Sequence, residues 1–173
     1  MVQAVDGISV ELLAGRPELV AQLGQMTWQE WGYGAGDPAA WADVIAREAG
    51  RDGLPVSLVA VDAAGDAVGK VGLGESDGDL SEAERGDRGP WILGMIVRER
   101  SRGQRIGRLL LASMEARAAG QGYRQLWVAT GEQAVGFYQR CGWRIAGTLR
   151  PVAIDRPTMI LTRQLSRAGV VEA

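Results

Sequence analysis

The 173 residues carry 19 basic and 21 acidic side chains for a formal net charge of −2, with 46% hydrophobic residues, one cysteine and no histidine. A chain of this size buries a substantial core without metal or disulfide staples. The lone Cys141 excludes an internal disulfide, and the lack of histidine excludes a serine–histidine triad, a histidine general base and the usual histidine-containing zinc sites. No metal is expected, and any chemistry falls to carboxylates, tyrosine, backbone dipoles or water.

In chain order, Gly7–Leu13 reads as a first strand and Pro17–Gln29 as a helix with proline in its first turn. Asp37 is a natural N-cap for a second helix, Pro38–Ala49, which Gly50 ends. Val56–Asp62 and Ala67–Glu75 alternate as two strands of a hairpin turned at Ala63-Ala64-Gly65-Asp66. Ser76–Gly89 is polar and acidic, an exposed loop. There follow a strand Trp91–Val97, a helix Gly107–Gln121, a strand Leu126–Thr130, a short helix Glu132–Arg140 ended by Gly142, and strands Trp143–Thr148 and Thr158–Leu165. The pattern predicts a single domain over residues 1–167 with a frayed tail at 168–173. Met1–Asp6 lacks the basic and apolar regions of a secretory leader, and no apolar run approaches the roughly 18 residues that span a bilayer, so a cytoplasmic protein without membrane contact is expected.

Charge is divided along the chain. Residues 1–96 hold 16 acidic against 6 basic side chains, a balance of −10, whereas residues 97–173 hold 5 against 13, a balance of +8. Fields of this kind draw a polyanion to the basic half and a cation to the acidic half. Five arginines of the basic half crowd into Val97–Leu109 with Gly103 and Gly107, between an apolar strand and an amphipathic helix. Glycine lets the backbone approach a ligand closely, and the first turn of a helix offers unpaired N–H groups at the positive end of its dipole. The segment therefore reads as a pyrophosphate cradle; its plainer alternative is a solvated arginine-rich turn. Little aromatic interleaving accompanies the arginines, and no zinc-finger or RNP-type pattern appears, so nucleic acid is not the expected partner.

Arg102-Gly103-Gln104-Arg105-Ile106-Gly107 after a strand resembles the Arg/Gln-x-x-Gly-x-Gly/Ala loop of the GNAT superfamily of acyl-CoA-dependent N-acetyltransferases, with Arg105 where the family places its middle glycine. Ala134-Val135-Gly136-Phe137-Tyr138-Gln139-Arg140-Cys141-Gly142-Trp143 resembles the family's Ala-x-x-Phe-Tyr-x-x-x-Gly-Phe segment, although Gly131 replaces its usual preceding Asn. The resemblance covers roughly residues 56–165. It implies an α+β GNAT-like domain, with a mixed, mostly antiparallel sheet of about seven strands and helices on both faces.

It also implies transfer of an acetyl group from acetyl-CoA to an amine. The loop Arg102, Gly103, Gln104, Arg105, Ile106, Gly107 and Arg108 would hold the pyrophosphate, and the strand edge at Ile96 and Val97 would pair with the pantetheine arm. A bulge in that strand, for which Gly94 is a candidate, would aim a backbone N–H at the developing oxyanion; close packing is the alternative role for this glycine. Tyr138 matches the tyrosine that protonates the departing thiolate, its alternative being a core tyrosine beside Phe137. Cys141, in the apolar part of the same segment, reads as a small buried hydrophobe. An alkylammonium must lose a proton before attack, and Glu75, then Glu30, are the carboxylates considered for that task. Trp28, Glu30, Trp31 and Tyr33 gather where the family builds its acceptor pocket, with Trp41 near them, although aromatics at these spacings also serve a helix core.

The acids from Glu75 to Asp87 favour a cationic small-molecule amine such as an aminoglycoside antibiotic or a polyamine. A peptide α-amine, a protein lysine and a non-catalytic CoA-binding regulatory module remain as alternatives, and a homodimer is left open.

Overall fold

The computed structural model describes residues 5–32 and 35–166. Its elements are β1 (Ser9–Leu12), α1 (Val20–Trp31), α2 (Pro38–Arg47), β2 (Val56–Val61), β3 (Ala67–Gly74), α3 (Glu82–Arg85), β4 (Trp91–Val97), α4 (Ile106–Gly120), β5 (Gln125–Thr130), α5 (Val135–Arg140), β6 (Arg144–Leu149) and β7 (Thr158–Gln164). Every strand and helix expected from the sequence is present, shifted by a few residues. Pro17 starts a 3-10 turn ahead of α1, and Asp37 caps α2 by accepting the Ala39 amide at 2.9 Å. The tail expected to fray lies outside the described residues.

One expectation needs correction. The loop Ser76–Gly89 contains the short helix α3, because Ser81 and Glu84 form a reciprocal capping box. Ser81 accepts the Glu84 amide, and Glu84 accepts the Ser81 amide at 2.8 Å. Composition marked this stretch as polar without revealing that its acids organise backbone.

The strands form a seven-stranded sheet in the order β1-β2-β3-β4-β5-β7-β6. Pairing is antiparallel for β1/β2, β2/β3, β5/β7 and β6/β7, and parallel for β4/β5, where Trp91 stands opposite Trp127. This is the mixed, mostly antiparallel α+β architecture that the resemblance implied.

Contacts divide the chain into two compact units. The first comprises Met1–Leu73 and Gly94–Met114. Leu13, Leu19 and Leu23 are sealed there against Ile45, Val59 and Val61. Helices α1 and α2 approach closely at Gly24, where a side-chain carbon would stand 2.7 Å from Ala42 Cβ. The second unit comprises Gly74–Leu93 and Glu115–Ala173. Its core gathers Leu80, Trp91 and Ile160, with Trp127 tilted against Trp91 at 6.2 Å between ring centroids. No helix among the described residues is long and apolar enough to cross a membrane.

Leu23 is fully buried in α1. Leu23→Ala removes packed methyls and leaves a cavity, so unfolding in urea should show a loss of about 2–5 kcal/mol with little change in slope.

Candidate active site

Strand β4 is apolar throughout, yet it is not a regular strand. Gly94, at its centre, has φ +46° and is exposed between buried Ile92 and buried Ile96. A left-handed residue interrupts the pleat and suits the position considered for a bulge. Further along, the Arg98 amide donates to the Val68 carbonyl at 2.8 Å, keeping the end of β4 beside β3.

The loop that follows is held by its own arginines. Arg98 donates to Ser101 at 3.1 Å and to Asp62 at 3.2 Å, fixing the turn Glu99–Ser101. Asp62 lies below the usual carboxylate range, chiefly because it accepts the Asp66 amide and also because Arg98 bonds to it. Arg102 donates through Nε to the Val97 carbonyl at 3.0 Å and through a terminal nitrogen to Glu30 at 2.7 Å. Arg100, Arg105 and Arg108 are exposed. Gly103 has φ +77° and Arg105 φ +64°. The arginine that departs from the family's glycine thus keeps the left-handed backbone a glycine would adopt.

Helix α4 begins directly afterwards. The Leu109 amide bonds to the Arg105 carbonyl at 3.0 Å, so the amides of Ile106, Gly107 and Arg108 precede the first full helical hydrogen bond. Three exposed guanidinium groups, a left-handed turn and a helix N-terminus together form a cationic cradle at the end of a strand. Beside it lies a cleft of about 430 Å³, lined by Met26, Gln29 and Glu30 from α1, by Ile96 and Val97, and by Arg98–Arg100 and Arg102. These donors have the chemistry to hold a diphosphate.

The acceptor-side expectations are distributed differently. Glu30 lines this cleft, paired with Arg102. Trp28 donates its ring N–H to the Ala35 carbonyl at 2.9 Å in the loop before α2, and Trp31 on α1 tilts against Trp41 on α2 at 6.5 Å between centroids. Tyr33 lies outside the described residues.

In the second unit, Tyr138 on α5 is buried and sits edge-on to both Phe137, at 5.2 Å, and Trp143, at 5.4 Å. Burial, with the Cys141 thiol nearby, pushes its hydroxyl above the usual tyrosine range. Cys141 itself is half-buried, less enclosed than the sequence reading expected. Glu75 is exposed just beyond β3. Of the acids in its loop, Glu84 also accepts the Val152 amide at 2.9 Å and Asp77 accepts the Asp79 amide at 2.9 Å, so both fold backbone.

Sequence reasoning missed Lys70. It is the only lysine in the chain and lies in the middle of an apolar strand, β3, which is a signal that could have singled it out. Its side chain is 1% exposed and meets Glu48, the residue ending α2, at 3.2 Å. Burial pulls its ammonium below the ordinary lysine range while Glu48 acts in the opposite direction.

Residues 20–143 match the profile of the acetyltransferase (GNAT) family. The chain belongs to that family. It is an acetyl-CoA-dependent N-acetyltransferase, and its cosubstrate is acetyl-CoA. An L-methionine sulfoximine/L-methionine sulfone acetyltransferase of Pseudomonas aeruginosa is 34% identical over 128 residues, covering 72% of this chain and 69% of the relative. Among solved structures, an aminoglycoside 6'-N-acetyltransferase complexed with coenzyme A superimposes with a TM-score of 0.74 at 18% identity, over 93% of this chain and 99% of that one. The aminoglycoside 6'-N-acetyltransferase from Enterococcus faecium gives 0.69 at 19% identity over the same shares. At such identities the structures show a shared fold.

The left-handed residue in the acetyltransferase's loop can be tested directly. Arg105→Gly relieves the clash of a side chain at positive φ, whereas Arg105→Ala retains it, so the glycine variant should be the more stable of the two by about 1 kcal/mol in denaturant titrations.

Proposed function

We propose that the acceptor is the primary amine of a small soluble molecule, and that an amino-acid amine is preferred over a polycation. The 34% identity to an enzyme for L-methionine sulfoximine and L-methionine sulfone carries this reading. The engagement of Glu84 and Asp77 with backbone amides supports it, because it leaves fewer carboxylates of the acidic loop to hold several ammonium groups. The acidic balance of residues 1–96 favours a second reading, a polycation such as an aminoglycoside or polyamine.

Acetyl-CoA supplies a thioester carbon open to attack by an uncharged amine. In this proposal the amides of Gln104, Arg105, Ile106, Gly107 and Arg108 bind its diphosphate together with the exposed guanidinium groups. The strand edge at Val97 meets the pantetheine amides, its carbonyl being shared with Arg102, whereas the Ile96 carbonyl lies against Gly69 of β3. Arg102 reaches the diphosphate by exchanging Glu30 for phosphate oxygen, a stronger partner in that it carries charge on several acceptors. Glu75 takes the proton that an alkylammonium must lose, and Tyr138 gives one to the departing thiolate. The Tyr138 hydroxyl carries the proton to be given, and a thiol of pKa about 8.5 needs only modest help to leave.

Release of CoA, followed with a thiol reagent across a panel of L-methionine sulfone, aminoglycosides, polyamines and peptides, tests the assignment. The sulfone should give the highest kcat/KM, nearly independent of salt. A polycation that wins the panel and slows as salt is added would replace the amino-acid reading with the second one. Binding of acetyl-CoA without turnover of any amine would point to a regulatory module. In the same assay Tyr138→Phe should lower kcat by roughly 10²–10⁴-fold with the Kd for CoA unchanged. A variant retaining full kcat would leave Tyr138 as packing for Phe137 and Trp143.

A further inference from the structure

Asp62 directly follows β2 and organises the turn into β3. Its amide donates to the Asp66 carbonyl at 3.0 Å, and its carbonyl accepts the Gly65 amide at 2.9 Å. One carboxylate oxygen, Oδ1, accepts the amides of Ala64 at 3.1 Å and Asp66 at 3.0 Å. Gln22 of α1 holds the same turn from outside, donating to Asp66 Oδ1 at 3.2 Å and accepting the Ala67 amide at 2.9 Å. The second carboxylate oxygen of Asp62, Oδ2, accepts Arg98 at 3.2 Å.

Arg98 in turn grips Ser101 twice. The Ser101 amide donates to the Arg98 carbonyl at 2.8 Å, and Arg98 Nε donates to the Ser101 hydroxyl oxygen at 3.1 Å. Ser101 is buried, and Arg102, the first residue of the cationic cradle, comes next in the chain. A line of hydrogen bonds therefore runs from α1 through the β2–β3 turn to the residue at which the cradle begins. A loop ordered before its ligand arrives does not lose that freedom on binding, and the affinity is higher for it.

We propose that Asp62 is a positioning residue for acetyl-CoA: through Arg98 and Ser101 it holds the loop after β4 in the shape that receives the coenzyme diphosphate. The sign of its effect distinguishes this role from a simple field. By charge alone a carboxylate beside a cationic loop opposes the binding of an anion, so removing it would tighten binding, whereas removing a positioning group loosens it. The proposal rests on the reading that residues 102–108 hold the diphosphate, and on no particular acceptor.

Asp62→Asn keeps a side-chain carbonyl for the amides of Ala64 and Asp66 and loses the anion that Arg98 binds. In calorimetry its Kd for CoA should rise roughly three- to tenfold, the loss expected for a charge-assisted hydrogen bond. The KM for acetyl-CoA should rise with it, while kcat at saturating acetyl-CoA stays within about twofold. A general loss of folded protein would instead lower the binding stoichiometry at unchanged Kd. Ser101→Ala alters no charge and should weaken CoA binding in the same direction, and it carries the test should Asp62→Asn fail to fold. Adding Asp62→Asn to Arg98→Gln should cost no further affinity, because both changes break one contact. The proposal is overturned by an Asp62→Asn or Ser101→Ala protein that binds CoA as tightly as the wild type or more tightly, or by losses that multiply in the double variant; diphosphate binding by the loop then still stands. Replacing the exposed Arg100, Arg105 and Arg108 together by glutamine tests that reading separately. Unchanged CoA affinity in this protein fails the reading of the loop, and the role of Asp62 with it.

Discussion

A strand that bends at its centre and runs into a tight arginine-rich loop needs left-handed residues at set places. Gly94, Gly103 and Arg105 all take positive φ within twelve residues of chain. L-residues with a β-carbon resist that conformation, because the carbon crowds the following carbonyl. Two positions avoid the cost by being glycine. At Arg105 the strain is retained, and an exposed guanidinium is gained at the start of α4.

The remaining features of the first unit stabilise those bends. Arg98 ties the loop to Asp62 in the β2–β3 turn, and its amide ties the end of β4 to Val68. Gly69 lets β3 approach so closely that a side-chain carbon there would stand 2.7 Å from the Ile96 carbonyl oxygen. Lys70 then occupies the gap at Gly94. A buried ammonium costs several kcal/mol unless it is paired, and removing one partner is worse than never having had either. Glu48 is therefore as much a part of β3 as of α2, and the last turn of α2 is coupled to the centre of the strand.

Charge on the loop serves two purposes. Arg98 and Arg102 use their guanidinium groups to shape the loop and its cleft, whereas Arg100, Arg105 and Arg108 are exposed. The same division appears in the acidic loop of the second unit, where Glu84 caps α3 and holds Val152. Counting charges overstates what is available to a partner, because side chains of either sign also satisfy backbone groups.

Sequence alone determined the order and kind of every strand and helix except α3. Apolar periodicity, Asp37 as a cap, and the glycines after helices act over a few residues, and such interactions are visible in one dimension. The strand–arginine loop–helix unit was legible for the same reason, as was the family it implies. The capping box at Ser81 and Glu84 was also local, but acidic composition masked it. Tertiary structure alone decided that Glu30 pairs with Arg102, seventy-two residues away, that Trp31 on α1 tilts against Trp41 on α2, and that Lys70 lies against Gly94. The last of these depends on which strand lies beside which and in what register. Register is set by the whole sheet, since a shift of one residue would turn every side chain of a strand to the opposite face.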